Sequence, residues 1–449
     1  MFKRILTVLC AAALLWISAS LATTNISDTT LVSVKTDGQS DPLSPDDVSA
    51  GSLLSDKGEP ADPVCPQQAE QGAAAVNIAS DAAVTSESYT AEHADENALR
   101  IAGNVTVLMN NIAVGKTGDT TNVEHSSLYG QNAGLLVING ASATISQAQV
   151  NTEGSGANGV FSYGVGTNIS ISDSTITTRQ DHAGGILAVE GGMISADNLT
   201  VETQGNASAA IHAGWSGSTV TVDGGTYTTK GTASPAIDSA ATVTASNATL
   251  TSAQGEAIVV EGRNRVSLIN SHVSGKMQGK DAGENIHNVL FYQSDDGRMG
   301  EGSGFLSMTG GSMTALAGDM FYVTNTVCDI ILKGVTLTLA NRNLLEVAGN
   351  DGSQGWGKAG SNGGECYFTA NGQMMSGTIS VDAISRLVLS LENGTAFTGT
   401  INPDGKAGTV SVTLDDTSTW TLTDDAYVTS FTGSRNRLIT NGYTLHVMP

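Results

Sequence analysis

The side chains that could do chemistry are few and scattered. Glu261-Gly-Arg-Asn-Arg265 places Arg263 and Arg265 two residues apart, and Asp238 stands about one repeat earlier. A basic side chain that draws a proton from carbon, next to carboxylates that hold calcium, is one way to cleave a glycan. Asp238, Arg263 and Arg265 are therefore the catalytic candidates, although arginine at a turn is more often a solvated charge. His182 and His212 make a weaker pair. Asp295 and Asp296 are the metal candidates, with calcium the ion they would take; no other cofactor is expected. Trp356 lies in Gly-rich company and could stack on a sugar, while anchoring its own loop is the plainer role. Cys328 and Cys366 could stack on neighbouring turns of a repeat and bridge, unless a one-residue offset points them apart.

These residues sit on a repeat. The aligned apolar residues Val150, Ile176, Val201, Tyr227, Leu250 and Val273 are separated by 26, 25, 26, 23 and 23. Met313, Leu337, Met374, Phe397, Trp420 and Tyr443 continue the column, the last four 23 apart. A period of this length with no helical pattern inside it reads as a β-solenoid. Successive strand residues face opposite sides, so Leu135, Val160, Ile186, Ile211, Ile237, Ile258, Val289, Met320 and Leu344 form one interior wall. Pairs such as Ile169 and Ile171, Val220 and Val222, or Val266 and Leu268 form another. Three walls per turn predict an all-β, three-sheet solenoid of about 12 coils. A corner column of Asp173, Asn198, Gly224, Asn247, Asn270, Gly310, Gly334, Asn371 and Gly394 supplies the left-handed backbone that the turn into the last strand needs.

The rest of the chain is read by contrast. Residues 1 to 22 have the form of a secretory signal: Lys3 and Arg4, an apolar run from Ile5 to Ile17, then Ser20-Leu21-Ala22. Residues 23 to 95 are rich in Ser, Thr, Ala, Asp, Glu and Pro and read as a flexible leader. The repeat domain is expected over residues 96 to 449, with surface insertions near 115–133, 276–304 and 350–365. The formal net charge is -23, and about -25 once Lys3 and Arg4 leave with the signal. Such a surface repels phosphate backbones, so nucleic acid is not an expected partner, and no membrane insertion is expected after the signal is removed.

The coils from about Asn97 to Pro449, with the ending Asp415-Asp-Thr-Ser-Thr-Trp-Thr-Leu-Thr, Val428-Thr-Ser-Phe and Asn441-Gly-Tyr-Thr-Leu, resemble the right-handed parallel β-helix proteins of the pectate-lyase-like superfamily. The likeness is to exported adhesin-like or autotransporter-passenger-like members. The resemblance implies right-handed winding and a secreted or cell-surface protein. It also brings polysaccharide lyases and hydrolases into view as an alternative. The Gly-His-Gly and Arg-Ile-Lys segments of polygalacturonases are absent, and the Asp pairs 415–416 and 424–425 belong to closing turns.

Two outer faces carry further expectations. Beside the first-strand column, Leu136 and Ile138, Phe161 and Tyr163, Leu187 and Val189, Leu290 and Tyr292, Phe321 and Val323, and Leu345 and Val347 point outward. This apolar strip, polar only at His212 and Asp238, is to be covered by the insertions or by a partner. Phe161, Tyr163, Tyr292 and Phe321 join Trp356 as aromatic binding candidates. Thr175-Ile-Thr177, Thr226-Tyr-Thr228 and Thr249-Leu-Thr251 make a flat hydroxyl array that resembles the ice-binding face of some solenoids, although Thr is simply a good exposed strand residue. The expected function is non-enzymatic binding to a glycan or a surface protein, with self-association open. A lyase or hydrolase is the alternative, and ice binding a minor one.

Overall fold

A computed structural model describes residues 70–279, 285–294, 302–406 and 408–448. The chain winds as a parallel β-helix: all the strand pairings are parallel, and each joins a strand to its counterpart one coil away. In the first wall Leu135, Val160, Ile186, Ile211, Ile237, Ile258 and Val289 are successive register partners. All of them are buried in one continuous core. Alternation explains why: the aliphatic residue of each strand points into the bore, and like stacks on like at about 4.8 Å per rung.

Three sheets line that bore. Strands such as Val160–Tyr163 and Ile186–Val189 form the first, and Asn168–Ser172 and Met193–Asp197 the second. A 10-stranded third sheet carries the Thr-x-Thr segments. The first two merge where the strands Ile211–Asp223 and Ile237–Ser246 run round the corner between them, with a bulge between Gly214 and Thr219.

The corner from the second to the third sheet is built as the Asn and Gly column implies. Asp173, Asn198, Asn247 and Asn270 take φ between 47° and 54°. Asn198 Nδ2 donates to Asp173 Oδ1 at 2.8 Å, and Asn247 Nδ2 to Asp223 Oδ1 at 2.7 Å, which ties one rung to the next. The opposite corner uses buried hydroxyls. Thr152, Thr178 and Thr203 each donate to the carbonyl five residues ahead, at 2.5, 2.6 and 2.6 Å.

Several boundaries differ from expectation. The solenoid begins before residue 96: Ala73–Ile78, Ala82–Thr85 and Ser88–Ala91 already make a coil that pairs with the one after it. Its inward residues, Ile78, Ala82, Val84, Tyr89 and Ala91, are few and lie among Ala, Ser and Thr, which gives little hydropathic contrast with a polar leader. Residues 1 to 22 and 23 to 69 lie outside the described residues. The insertion near 115–133 is not a plain loop, since a strand ends at Lys116 and a helix, Val123–Tyr129, follows.

Registers also shift toward the C-terminal end. Val289 pairs with Phe321, and Phe321 with Leu345, so Met320 and Leu344 are not the column residues. The strand Asp319–Thr324 is buried at every position, so alternation there carries no information about side. Phe397 pairs with Met375, leaving Met374 81% exposed, and Trp420 pairs with Leu438 instead of Tyr443. The left-handed corner residue is Gly372, φ 56°, not Asn371.

Candidate functional site

The outer face of the first sheet is where the sequence places its aromatic candidates, and the insertions close it. Asn122 caps the helix Val123–Tyr129 by accepting from the His125 amide, and Gly130, φ 71°, ends it. A Cβ on Gly130 would lie 2.7 Å from Leu136 Cδ1, so only glycine lets the chain turn this close to the sheet. The turn presses Leu128 and Tyr129 onto Leu136, Ile138, Phe161 and Leu187. Phe161 is fully buried, and half-buried Tyr163 meets Tyr129 edge-on at 6.1 Å between rings.

A second lid covers the strip further on. Asn350 and Asn362 donate their side-chain amides to the Trp356 carbonyl, each at 3.0 Å. That holds the indole 4.5 Å from the Tyr292 ring, and Trp356 is only 4% exposed. Behind it the Tyr292 hydroxyl donates to Glu261 Oε2 at 2.7 Å, and Ser294 donates to the same buried carboxylate. Phe321 faces the bore and meets Phe368 at 5.8 Å. Val323, Leu345 and Val347 are inward as well; Tyr322 and Glu346 occupy the outer side. None of Phe161, Tyr292, Phe321 and Trp356 is therefore an open binding residue. The aromatic surface of Phe161, Tyr292 and Trp356 is used to seat the two insertions, and that of Phe321 fills the bore.

The catalytic candidates are not assembled into one centre. Asp238 is on the first sheet, register partner of His212, whose Nδ1 lies 3.0 Å from Asp238 Oδ2 with both side chains buried. Arg265 is on the second sheet, its guanidinium 3.8 Å above the Phe305 ring. Arg263 sits in the turn between them. The metal candidates Asp295 and Asp296 lie outside the described residues. Among the described residues no group of three or more His, Cys, Asp or Glu side chains is placed to hold a metal ion. Cys328 and Cys366 are register partners with no offset, both buried and both free thiols.

What the fold does open is a cleft of about 890 Å³ at the corner between the first and second sheets, floored by Asn325, Thr326, Gly363, Gly364 and Ser385. Its rim carries Glu365 and Arg386, register partners on adjacent rungs, with Arg386 Nη1 2.9 Å from Glu365 Oε1. The Tyr367 hydroxyl donates to the same oxygen at 2.5 Å, and the guanidinium lies 5.8 Å from the Tyr367 ring. Asp329, the neighbour of Tyr367 one rung back, accepts from Ser303. The bond to Glu365 and its charge raise the Tyr367 phenol above its ordinary value, so it stays a donor. Sequence reasoning reached this site only at Glu365, as the end of an insertion. Arg386 joins it from a strand with no special composition.

A second polar cluster lies outside the cleft. Asn285 Nδ2 donates to Glu346 Oε2 at 2.5 Å and approaches Asp319 Oδ2 at 3.4 Å; Asn341 Nδ2 donates to Asp319 Oδ1 at 3.2 Å. Burial, and then the bond to Asp319 and its charge, push the Glu346 carboxyl up to about 7.

The architecture and the cleft thus define a class, a parallel β-helix with an open polar corner. Compared with known protein families, with curated proteins and with solved structures, the chain matches none.

Proposed function

We propose that this chain is an exported, secreted or surface-displayed β-helix protein that binds a glycan non-covalently at the Glu365–Arg386 cleft. One observation carries the reading: a carboxylate and a guanidinium paired across adjacent rungs line an open cleft, and a phenol bonded to that carboxylate stands beside it. Paired acceptors and donors at fixed spacing suit the adjacent hydroxyls of a sugar, and an aromatic ring beside them suits its apolar face. Two carboxylates, Glu365 and Asp329, flank the Tyr367 phenol, and only Glu365 is paired with the guanidinium, on a chain of net charge -23. That balance favours neutral or amino sugars over uronates.

The lyase or hydrolase alternative has less behind it, because Asp238 and Arg265 sit on different sheets. The test is a glycan screen that scores retention and cleavage together, run on the full chain and on Arg386→Ala and Tyr367→Phe. Retention that falls about tenfold in Arg386→Ala, with no product formed, is the expected result; about 1.4 kcal/mol corresponds to that factor. Shortened oligosaccharides would establish the enzyme reading, and retention unmoved by both substitutions would remove the cleft from consideration.

A further inference from the structure

Cys328 and Cys366 lie on the strands Val327–Lys333 and Glu365–Asn371, which pair rung on rung with these two residues opposite each other. Both point into the bore and both are fully buried. We propose that this pair is a disulfide site, closed when the chain winds in an oxidising compartment. The geometry suits it: neighbouring strands are about 4.8 Å apart, inside the roughly 4.4–6.8 Å between Cα atoms that a disulfide spans. Equal strand parity sends both Cβ atoms to the same side, and the two thiols already interact with one another.

The order of events follows from burial. In the finished coil both sulfurs are fully buried, out of reach of an oxidant, and desolvation, then the neighbouring thiol, hold the Cys328 thiol well above its ordinary value. The bond must form as the two strands meet. One cysteine thiolate attacks a disulfide-bearing oxidant and gives a mixed disulfide; the second thiolate displaces it, leaving Cys328–Cys366 and the oxidant as a dithiol. Two protons leave the cysteines and two are taken up by the reduced oxidant. The bridged segment contains the Trp356 lid and ends beside Glu365, so closing it ties both to the core.

The full chain is refolded in a glutathione redox buffer, denatured without reduction, alkylated and mapped by peptide mass. The expected product is one linked peptide pair containing Cys328 and Cys366, lighter by two hydrogens than the separate peptides, with a higher urea midpoint than the reduced protein. Cys328→Ala should remove the linked pair and leave Cys366 alkylated. Complete alkylation of both cysteines in the refolded wild-type chain, or a link from either of them to Cys65, would overturn the proposal. The wild-type map requires no variant to fold.

Discussion

At the scale of single residues the most informative side chain is Glu346, whose buried carboxyl lies against Asp319 while Asn285 and Asn341 hold the pair in place. His287, Glu256, Tyr322 and Asp382 are the other ionisable groups about this cluster. A carboxyl whose folded pKa is raised contributes stability that is fully present below its unfolded pKa and is lost as pH rises through the folded one. Here the window runs from about 4.5 to about 7. The urea midpoint should therefore fall between about pH 4.5 and about pH 8, by an amount worth roughly 1–3 kcal/mol. Glu346→Gln should flatten the profile. A variant that keeps the full wild-type slope would exclude Glu346 as its source. No reading of the sequence finds this group, because Asn285 and Glu346 are 61 residues apart and meet only once the intervening coils are wound.

At the scale of elements, legibility followed local chemistry. The corner residues were readable because a left-handed backbone tolerates few side chains, and Asn198, Asn247 and Gly224 state that requirement one residue at a time. The first-wall column was readable through Val289, where an aliphatic residue recurs at one strand position in every coil. It failed at Asp319–Thr324, where both parities are buried as in earlier strands but the longer excursion before it also breaks the spacing, and so Phe321 was assigned outward when it lines the bore. The lids explain the double burial: an outer face sealed by an insertion has no need of polar residues. Trp356 is the keystone of one lid. Trp356→Ala should cost about 3 kcal/mol in the stability of that lid and expose residues 350–364 to limited proteolysis, while far-ultraviolet circular dichroism stays unchanged. An unaltered cleavage pattern would mean that Asn350 and Asn362 hold the loop without the indole.

At the scale of the whole molecule, the strands of each coil pair only with those of its neighbours, so stability is close to a sum of rungs and the interfaces between them, the lids adding a few longer ties. The two ends are not equivalent to the middle. Among the described residues the strand Ala73–Ile78 is largely exposed and pairs on one side alone, and the strand Leu445–Val447 contributes no residue to the fully buried core. Central rungs through Ile186, Ile211 and Ile237 pair on both sides and are fully buried. Fraying should then proceed inward from both ends, because opening a terminal rung breaks one interface and opening a central rung breaks two. Hydrogen exchange on the intact chain should show protection that rises from each end toward these central rungs. The aromatic stack of Phe397, Trp420 and Phe431, with the Trp420 indole donating to the Gly399 carbonyl at 3.0 Å, should make the C-terminal gradient the steeper of the two. Uniform exchange at a single rate along all the coils would instead make the solenoid one cooperative unit and refute the rung-by-rung account.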